Sequence, residues 1–313
     1  MTLTIGIDIG GTKVAGGVVD GSGVVLASTL RSTPASDPAA IRDVVADVVT
    51  ELRAKHEVTA VGIGAAGWID SDRSTVQFAP NLAWRDEPLR DALTERLDLP
   101  VVVENDANVA AWAEFQFGAA REAASAILFT VGTGIGGGII WNGHLVRGSH
   151  GVAAEFGHGL AVPGGRECGC GRHGCLEQYA SGNALVRYAR ETAAADRDAA
   201  EFMLKATGGD VEAIDGPLVT QAAEAGEPAA VAAFVEIGGY LGEAMADMAQ
   251  FLDPDVIIVG GGVIKAGELL LAPTRERFTA ALGARAQLPT AVITAAQMGR
   301  QAGIIGAADL ARH

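Results

Sequence analysis

A strand, a glycine turn and a returning strand occur twice in this chain, and the two copies match position by position. Ile5 and Ile127 stand 122 positions apart. The same offset relates the glycines of the two turns, Gly10 with Gly132 and Gly21 with Gly143. A constant offset of this kind indicates an internal duplication. The chain is therefore predicted to form two like halves, and its 313 residues are enough for two domains.

The first half alternates strands and helices. β-branched residues predict a meander of three strands over 3–9, 13–20 and 24–29. Asp37-Pro38 supplies an N-cap and a helix-starting proline, and the apolar residues that follow recur at helical spacing, which predicts a helix over 38–56. The remaining predicted elements are strand 58–65, a helix near 88–97, strand 100–104 and helix 107–117. The order is β-β-β-α-β-α-β.

The second half repeats this order around an insertion. Its predicted elements are strands 127–132 and 137–142, alanine-rich helices near 181–206 and 228–252, strand 256–260, helix 265–282, strand 290–295 and helix 301–311. The insertion, 148–252, contains all three cysteines. We expect an α/β protein with a small domain of residues 1–108, joined by the C-terminal helix at about 300–313, and a large domain of residues 109–299.

Charge and hydropathy exclude several classes of protein. The chain has 23 Lys and Arg against 38 Asp and Glu, a net charge of −15, which disfavours binding to nucleic acid or anionic membranes. Its longest uninterrupted apolar runs reach nine residues, such as 256–264, so no membrane span is expected. The N-terminus lacks a basic region and places Asp8 inside its apolar run, which argues against a secretory signal. We expect a cytoplasmic protein.

Glycine-rich turns are the strongest candidates for a binding site. Segments 62–67 and 132–137 have the spacing of a dinucleotide fingerprint, but each leads into strand or turn where that fingerprint needs a helix. The turn 8–13, Asp-Ile-Gly-Gly-Thr-Lys, offers backbone amides and an ammonium group that suit phosphate oxygens. Alone it could be an ordinary hairpin turn. Its repetition at 131–134, and a third glycine turn at 259–263, favour a nucleotide site.

The cysteines form a metal-binding pattern with a nearby histidine. His158, Cys168, Cys170 and Cys175 offer one imidazole and three thiolates within 18 residues, a set typical of a closed tetrahedral zinc site. His173 is an alternative fourth ligand. A site with four protein ligands leaves no position for water, so the zinc is expected to be structural.

These motifs resemble a known family of sugar kinases. Segments 8–13, 131–138 and 259–262 resemble the two phosphate motifs and the adenosine motif of the actin-like (ribonuclease H-like) sugar-kinase fold, a duplicated fold with two domains around a cleft. The glycine run 132–138, Glu155-Phe156-Gly157-His158 and segment 168–177 resemble the signature of the ROK family (repressors, open reading frames and kinases). The resemblance covers essentially the whole chain, and within the family it is strongest to bacterial glucokinases.

The resemblance implies roles for named residues. It implies sugar contacts from Gly67, Asn81, Asn105, Asp106, Glu155, His158 and Glu177. It implies nucleotide contacts from Asp8, Gly10, Gly11, Thr12, Lys13, Thr133, Gly134, Gly261 and Gly262. It also selects His158 over His173 as the zinc ligand, with its second ring nitrogen facing the sugar. Alone, Glu155 and Glu177 would more often be solvated surface acids.

Asp106 is the candidate general base. Asn105-Asp106 follow strand 100–104 directly, at the position where α/β proteins place ligands. A carboxylate there can take the proton of an attacking hydroxyl during phosphoryl transfer. From the sequence alone, Asp106 could instead be the N-cap of helix 107–117. Mg²⁺ is expected with ATP, and Asp8 either binds it or holds the hairpin turn.

The expected reaction is phosphorylation of glucose at O6 by ATP, giving glucose 6-phosphate and ADP. Kinases of N-acetylglucosamine, N-acetylmannosamine, mannose or fructose remain alternatives, as does polyphosphate as donor. A sugar-responsive repressor is a rival from another class, but it should carry a helix-turn-helix of roughly 60–80 residues before the first strand. A non-catalytic sugar sensor is a third possibility. The resemblance also favours a homodimer or homotetramer.

Overall fold

The first half forms the predicted strand and helix order with one small sheet inserted. A computed structural model describes residues 2–79 and 81–313. The elements in chain order are β1 (Leu3–Ile9), β2 (Lys13–Val19), β3 (Val25–Ser32), α1 (Pro38–Arg53), β4 (Val58–Ala65), β5 (Trp68–Ile69), β6 (Val76–Phe78), β7 (Arg85–Glu87), α2 (Leu89–Leu97), β8 (Val101–Asn105) and α3 (Asp106–Phe117). The sheet β5-β6-β7 lies between the predicted strand 58–65 and the helix near 88–97, where the sequence predicts no separate sheet.

The second half also follows its predicted order, except inside the insertion. Its elements are β9 (Ala126–Val131), β10 (Ile135–Trp141), β11 (His144–Leu145), α4 (Glu177–Ala180), α5 (Gly182–Ala195), α6 (Glu201–Ala206), α7 (Gly216–Glu224), α8 (Pro228–Leu252), β12 (Val256–Gly260), α9 (Glu268–Leu282), β13 (Val292–Ala295) and α10 (Ala302–Leu310). The single helix predicted over 181–206 is wrong. The Asp196 carboxylate accepts hydrogen bonds from the N–H groups of Asp198 and Ala199, and the chain starts a new turn there.

The two main sheets have the same strand order, which confirms the duplication. One sheet runs β3-β2-β1-β4-β8 and the other β11-β10-β9-β12-β13. In the first sheet β1, β4 and β8 are parallel, and Ile9 pairs with Ala65, which pairs with Asn105. The carboxyl ends of β1 and β8 therefore meet at one edge of the sheet. Both segments with dinucleotide-like spacing lead into strands, β5 and β10, as expected.

The chain divides into two compact units. Unit 1 takes in the described residues through Leu128, together with Gly138–Ala154 and Gln297–His313. Unit 2 consists of Phe129–Gly137 and Glu155–Ala296. The domain boundaries expected at residues 108 and 299 stay a prediction.

Within unit 1, the C-terminal helix α10 packs directly on the central strands. A Cβ atom at Gly6 would collide with the backbone of Ile304, and one at Gly62 with the backbone of Ala307. The glycines thus permit a close approach of helix and sheet that no other residue would allow. On the other side of the sheet, α1 buries Ile41, Val45, Val48 and Val49 in the core that contains Ile5 and Ile7.

Helix α8 is long and apolar enough, by length and composition alone, to cross a membrane. The expectation of no such segment rested on uninterrupted apolar runs, and it overlooked a helix in which glycine and acidic residues interrupt the apolar ones. Of its most apolar window, 56% is buried. Phe234, Ile237, Leu241 and Met245 are buried, and the helix packs against α5 and α9. Core helices of globular proteins pass the same test, so it is weak evidence for a membrane segment.

Candidate active site

Asn105, and not Asp106, caps helix α3. Asn105 Oδ1 accepts hydrogen bonds from the N–H groups of Ala107 (2.9 Å) and Asn108 (3.0 Å). The Asn105 amide Nδ2 donates to the carbonyl of Gly67 at 3.0 Å. The alternative role of Asp106 as N-cap is therefore wrong, because the helix already begins at Asp106. Its carboxylate lies in the first turn, where the positive end of the helix dipole favours the anion.

Asp106 and Asp8 carry perturbed carboxyl groups. Asp106 keeps some solvent-exposed surface, but the protein around its carboxyl group partly desolvates the anion and raises its pKa above the ordinary value. The hydrogen bond from the N–H of Ala107 opposes this shift. Asp8 is half-buried, and burial together with the charge of Asp106 raises its pKa to about 6. Two acids that repel each other at a sheet edge are a suitable place for a general base and for a cation.

Glu104 holds the residues around Asp106 in place, a role that the sequence analysis did not assign. Its carboxylate is buried and accepts hydrogen bonds from the N–H of Asn105 (3.1 Å) and from Nδ2 of Asn108 (3.0 Å). Glu104 Oε2 also lies 2.5 Å from Nε of Arg147 and 3.6 Å from Nε of Arg73. No local sequence pattern separates this buried carboxylate from a solvated one, because its partners Arg73 and Arg147 come from distant parts of the chain.

The turn after β1 is a closed hairpin. The N–H of Gly10 donates to the carbonyl of Lys13 at 3.0 Å, and Thr33 Oγ1 donates to the carbonyl of Gly10 at 2.8 Å. Thr12 and Lys13 are exposed, so both can reach a ligand. A Cβ at Gly11 would lie 3.2 Å from Cβ of Asn81, so these two predicted residues are neighbours. Gly67 has a φ of +130°, which favours glycine there.

Four side chains in unit 2 converge as a potential metal site. The donor atoms of His158, Cys168, Cys170 and Cys175 all lie within 4.8 Å of one another. His158 Nδ1 is 3.7 Å from Cys168 Sγ, and Cys170 Sγ is 3.7 Å from Cys175 Sγ. Ligands of one tetrahedral zinc ion have about this separation, given Zn–S bonds of about 2.3 Å.

The chemistry of the donor set also fits a cation. Burial, together with the neighbouring thiols of Cys168 and Cys170, raises the pKa of the Cys175 thiol to about 12. Three thiolates therefore need a divalent cation to coexist. Because Nδ1 of His158 is the ring nitrogen that faces the thiols, Nε2 is left for another partner, as the resemblance implies. His173 is exposed and lies outside this group of four.

Glu155 and Glu177 flank the potential metal site, and both are half-buried. Glu177 begins the short helix α4, and its Oε2 accepts a hydrogen bond from the N–H of Ile135 at 3.0 Å. Ile135 directly follows the second glycine turn, in which the N–H of Gly132 donates to the carbonyl of Gly134 at 2.9 Å. A predicted sugar ligand therefore contacts the predicted phosphate loop.

A groove of about 560 Å³ opens beside this loop within unit 2. Of the predicted nucleotide contacts, Thr133 and Gly262 line it. Gly261 has a φ of +88°, and a Cβ there would collide with the backbone of Val131. The lining that the sequence did not reveal comes from α5, from α7 and from the turn after β12: Asn183, Leu185, Val186, Pro217, Thr220, Gln221, Glu224, Val263 and Lys265.

Comparison with known proteins decides the family. Residues 4–313 match the sequence model described as the ROK family. The chain belongs to the ROK family. A glucokinase of Streptomyces coelicolor is 50% identical to it over 313 residues, which cover 100% of this chain and 98% of the relative. An N-acetylmannosamine kinase of Yersinia pseudotuberculosis is 34% identical, with 98% of each chain covered.

A solved structure extends the comparison to the fold. The crystal structure of a ROK family glucokinase from Streptomyces griseus, in complex with glucose and AMPPNP, has a TM-score of 0.89 and 51% identity, with 99% of each chain covered. This ROK protein thus has the actin-like fold of the family's sugar kinases, as expected. The predicted site residues divide between the units. Unit 1 holds Asp8, Gly10, Gly11, Thr12, Lys13, Gly67, Asn81, Asn105 and Asp106; unit 2 holds Thr133, Gly134, Glu155, His158, the three cysteines, Glu177, Gly261 and Gly262.

Proposed function

We propose that this chain transfers the γ-phosphoryl group of ATP to O6 of glucose, giving glucose 6-phosphate and ADP. One observation carries the proposal: a structure with 51% identity and a TM-score of 0.89 is a ROK glucokinase in complex with glucose and AMPPNP. The 50% identity to the curated Streptomyces coelicolor glucokinase supports the same substrate pair.

Asp106 acts as the general base. As O6 attacks the γ-phosphorus, the O6–H bond breaks and Asp106 takes the proton, while the bond from phosphorus to the bridging oxygen of ADP breaks. The Asn105 cap fixes the first turn of α3, and the buried Glu104 fixes Asn105, so the carboxylate is held in place before the substrate arrives. The raised pKa of Asp106 makes it a better proton acceptor than an ordinary aspartate.

The nucleotide contacts come from the three glycine turns. In unit 2, the groove beside Thr133 and Gly262 receives the adenosine. Gly134 and Gly261 shape the turns beside it, because their missing Cβ atoms leave room for Glu177 and for the backbone of Val131. In unit 1, the turn after β1 offers the N–H groups of Gly11 and Thr12 to phosphate oxygens, since that of Gly10 already donates to Lys13. The ammonium group of Lys13 balances the phosphate charge.

Asp8 is the residue that would hold Mg²⁺ with ATP. A half-buried carboxylate whose pKa is raised by burial and by a neighbouring acid is stabilised by a cation, which fits this role. When bound, the ion neutralises charge that develops on the phosphate oxygens. The remaining predicted residues bind the sugar: Gly67, Asn81 and Asn105 from unit 1, and Glu155, His158 and Glu177 from unit 2.

His158, Cys168, Cys170 and Cys175 would hold zinc, and the ion would fix the segment that carries Glu155 and Glu177. Its role would be structural, because four protein ligands leave no position for water. The enzyme works in the cytoplasm, where ATP is available, as a homodimer or homotetramer.

The test is ADP release with Mg-ATP across glucose, mannose, fructose, N-acetylglucosamine and N-acetylmannosamine. We expect the highest kcat/KM with glucose. A preference for N-acetylmannosamine would instead assign the activity of the Yersinia relative. If no sugar stimulates ADP release by folded, zinc-loaded protein, the kinase proposal is wrong and a sugar sensor becomes the better account.

A further inference from the structure

Glu177 touches the phosphate loop as well as the proposed sugar site. Its Oε2 accepts the N–H of Ile135 at 3.0 Å. Ile135 is the first residue of β10, directly after the turn Gly132 to Gly134. In the described part of the chain, the hydrogen bond recorded for this carboxylate uses Oε2, which leaves Oε1 able to accept a sugar hydroxyl. One carboxylate is thus placed to serve both substrates.

The segment that carries Glu177 also contacts the other end of the glycine turn 132–134. The N–H of Gly182, which follows α4, donates to the carbonyl of Gly132 at 2.7 Å. The segment around Glu155 contributes a third contact, because Phe156 stacks on Phe129 with 4.6 Å between ring centroids. The elements that carry the proposed sugar ligands of unit 2 therefore contact the glycine turn and both of its flanking strands.

The backbone at Glu177 has little freedom to move. Cys175, a proposed zinc ligand, lies two residues before it, and its carbonyl accepts the N–H of Gln178 at 3.0 Å. The N–H of Leu176 donates to the carbonyl of Gly159 at 2.8 Å. With its main chain fixed, Glu177 can respond to a ligand only through its side-chain rotamer, and that rotamer decides whether Ile135 keeps its hydrogen bond.

We propose that Glu177 is a positioning residue that couples sugar binding to the phosphate loop. This inference rests on the proposed function, in which Glu177 Oε1 accepts a sugar hydroxyl. A bound sugar restricts the carboxylate to the rotamer that also holds the N–H of Ile135. The sugar thereby orders the loop before the nucleotide binds. By thermodynamic reciprocity, the nucleotide tightens sugar binding by the same factor.

A substitution at Gly134 can break the hydrogen bond between Glu177 and Ile135 without changing either residue. A Cβ at Gly134 would fall on Oε2 of Glu177, so Gly134→Ala pushes the carboxylate away from Ile135. Gly239→Ala is the control, because a Cβ there meets no described atom within 4 Å and the residue lies in α8, outside the proposed site. Both variants add one methyl group at a position without a positive φ.

The first measurement is hydrogen exchange in residues 131–138 of the zinc-loaded wild type, with and without glucose and without nucleotide. We expect glucose to slow exchange of the Ile135 amide. The second is the Kd of glucose by calorimetry, with and without AMPPNP. We expect AMPPNP, at a concentration that saturates each protein, to tighten glucose binding at least about fivefold in the wild type and in Gly239→Ala, and less than about twofold in Gly134→Ala. Zinc content and Tm check that each variant is folded.

The outcomes separate this inference from the proposed function. If the wild type does not bind glucose, the proposed function itself is wrong. If glucose binds but leaves exchange at Ile135 unchanged, the coupling is wrong and the proposed function stands. The coupling is equally wrong if Gly134→Ala retains the full effect of AMPPNP on the Kd of glucose.

Discussion

Glu104 and Arg147 form a largely buried ion pair, with 2.5 Å between Glu104 Oε2 and Arg147 Nε. Glu104 is the residue before Asn105 and Asp106, and its side chain is only 3% exposed. The pair therefore ties the end of β8, where the proposed base lies, to the segment that follows β11. Burying a carboxylate is costly unless its partners remain in place.

Loss of this pair should cost far more stability than loss of an exposed pair. We expect Arg147→Met to lower the free energy of unfolding by about 3 kcal/mol, because it leaves the buried Glu104 with Arg73 at 3.6 Å as its remaining ion-pair partner. Arg121→Met is the control, since Arg121 and Glu122 are both exposed, and we expect a change below about 0.5 kcal/mol. Urea denaturation of both variants measures the difference. Equal losses would show that the Glu104 pair does not support the site.

Asp8 should destabilise the free protein at neutral pH. Its folded pKa of about 6 lies above the ordinary value of 3.8, so the folded state binds the proton more tightly than the unfolded state does, and stability falls as pH rises between these values. We expect Asp8→Asn to raise the free energy of unfolding by up to about 2–3 kcal/mol at pH 7.5 without Mg²⁺ or nucleotide. The gain should shrink at pH 5. A gain that is independent of pH would contradict the assigned ionisation.

As the pH is lowered, activity should begin to fall at a higher pH than it would if Asp106 and Asp8 had ordinary pKa values. Asp106 must be deprotonated to accept the O6 proton, and its pKa is raised by desolvation. Asp8 becomes protonated below about pH 6, which weakens its hold on Mg²⁺. We expect kcat/KM for ATP to fall below about pH 6. A profile that stays flat to pH 4.5, measured where the enzyme remains folded, would refute both assignments.

The four proposed ligands should hold one zinc ion per chain. X-ray absorption should report three sulfur ligands at about 2.3 Å and one nitrogen at about 2.0–2.1 Å. We expect His158→Gln to lose zinc and to lower the Tm, whereas His173→Gln keeps zinc, because His173 lies outside the group of donor atoms. The reverse result would select His173. A fully folded, active enzyme without zinc would contradict a structural role for the ion.

The strand order was predictable because duplication, glycine turns and β-branched runs are local signals. Strand β4, helix α8 and strand β12 match their predicted bounds. The break at Asp196 was missed because an aspartate inside an alanine-rich run reads as helical until its side chain is seen to accept backbone N–H groups. The sheet β5-β6-β7 was missed because two- and three-residue strands carry no periodicity.

The site was predictable where residue types carry the chemistry, and less so where contacts do. The cysteine spacing indicates a metal site, and the structure gathers its four donors. Whether Asn105 or Asp106 caps helix α3 depends on where the helix begins, and sequence patterns give that position only to within a residue or two. The roles of Glu104 and of the groove beside Thr133 depend on tertiary neighbours, and no local sequence pattern indicates these roles.

The proposed role of Asp106 in glucose phosphorylation is tested most directly with Asp106→Asn. The measurement is glucose-dependent ADP release with Mg-ATP, together with the Kd of glucose by calorimetry, for the wild type and the variant. We predict that kcat falls by about 10²–10⁴ while the Kd of glucose changes less than about tenfold, because the proton acceptor is lost and the other sugar contacts remain. A variant that retains wild-type kcat with glucose would contradict the assignment of Asp106 as the base.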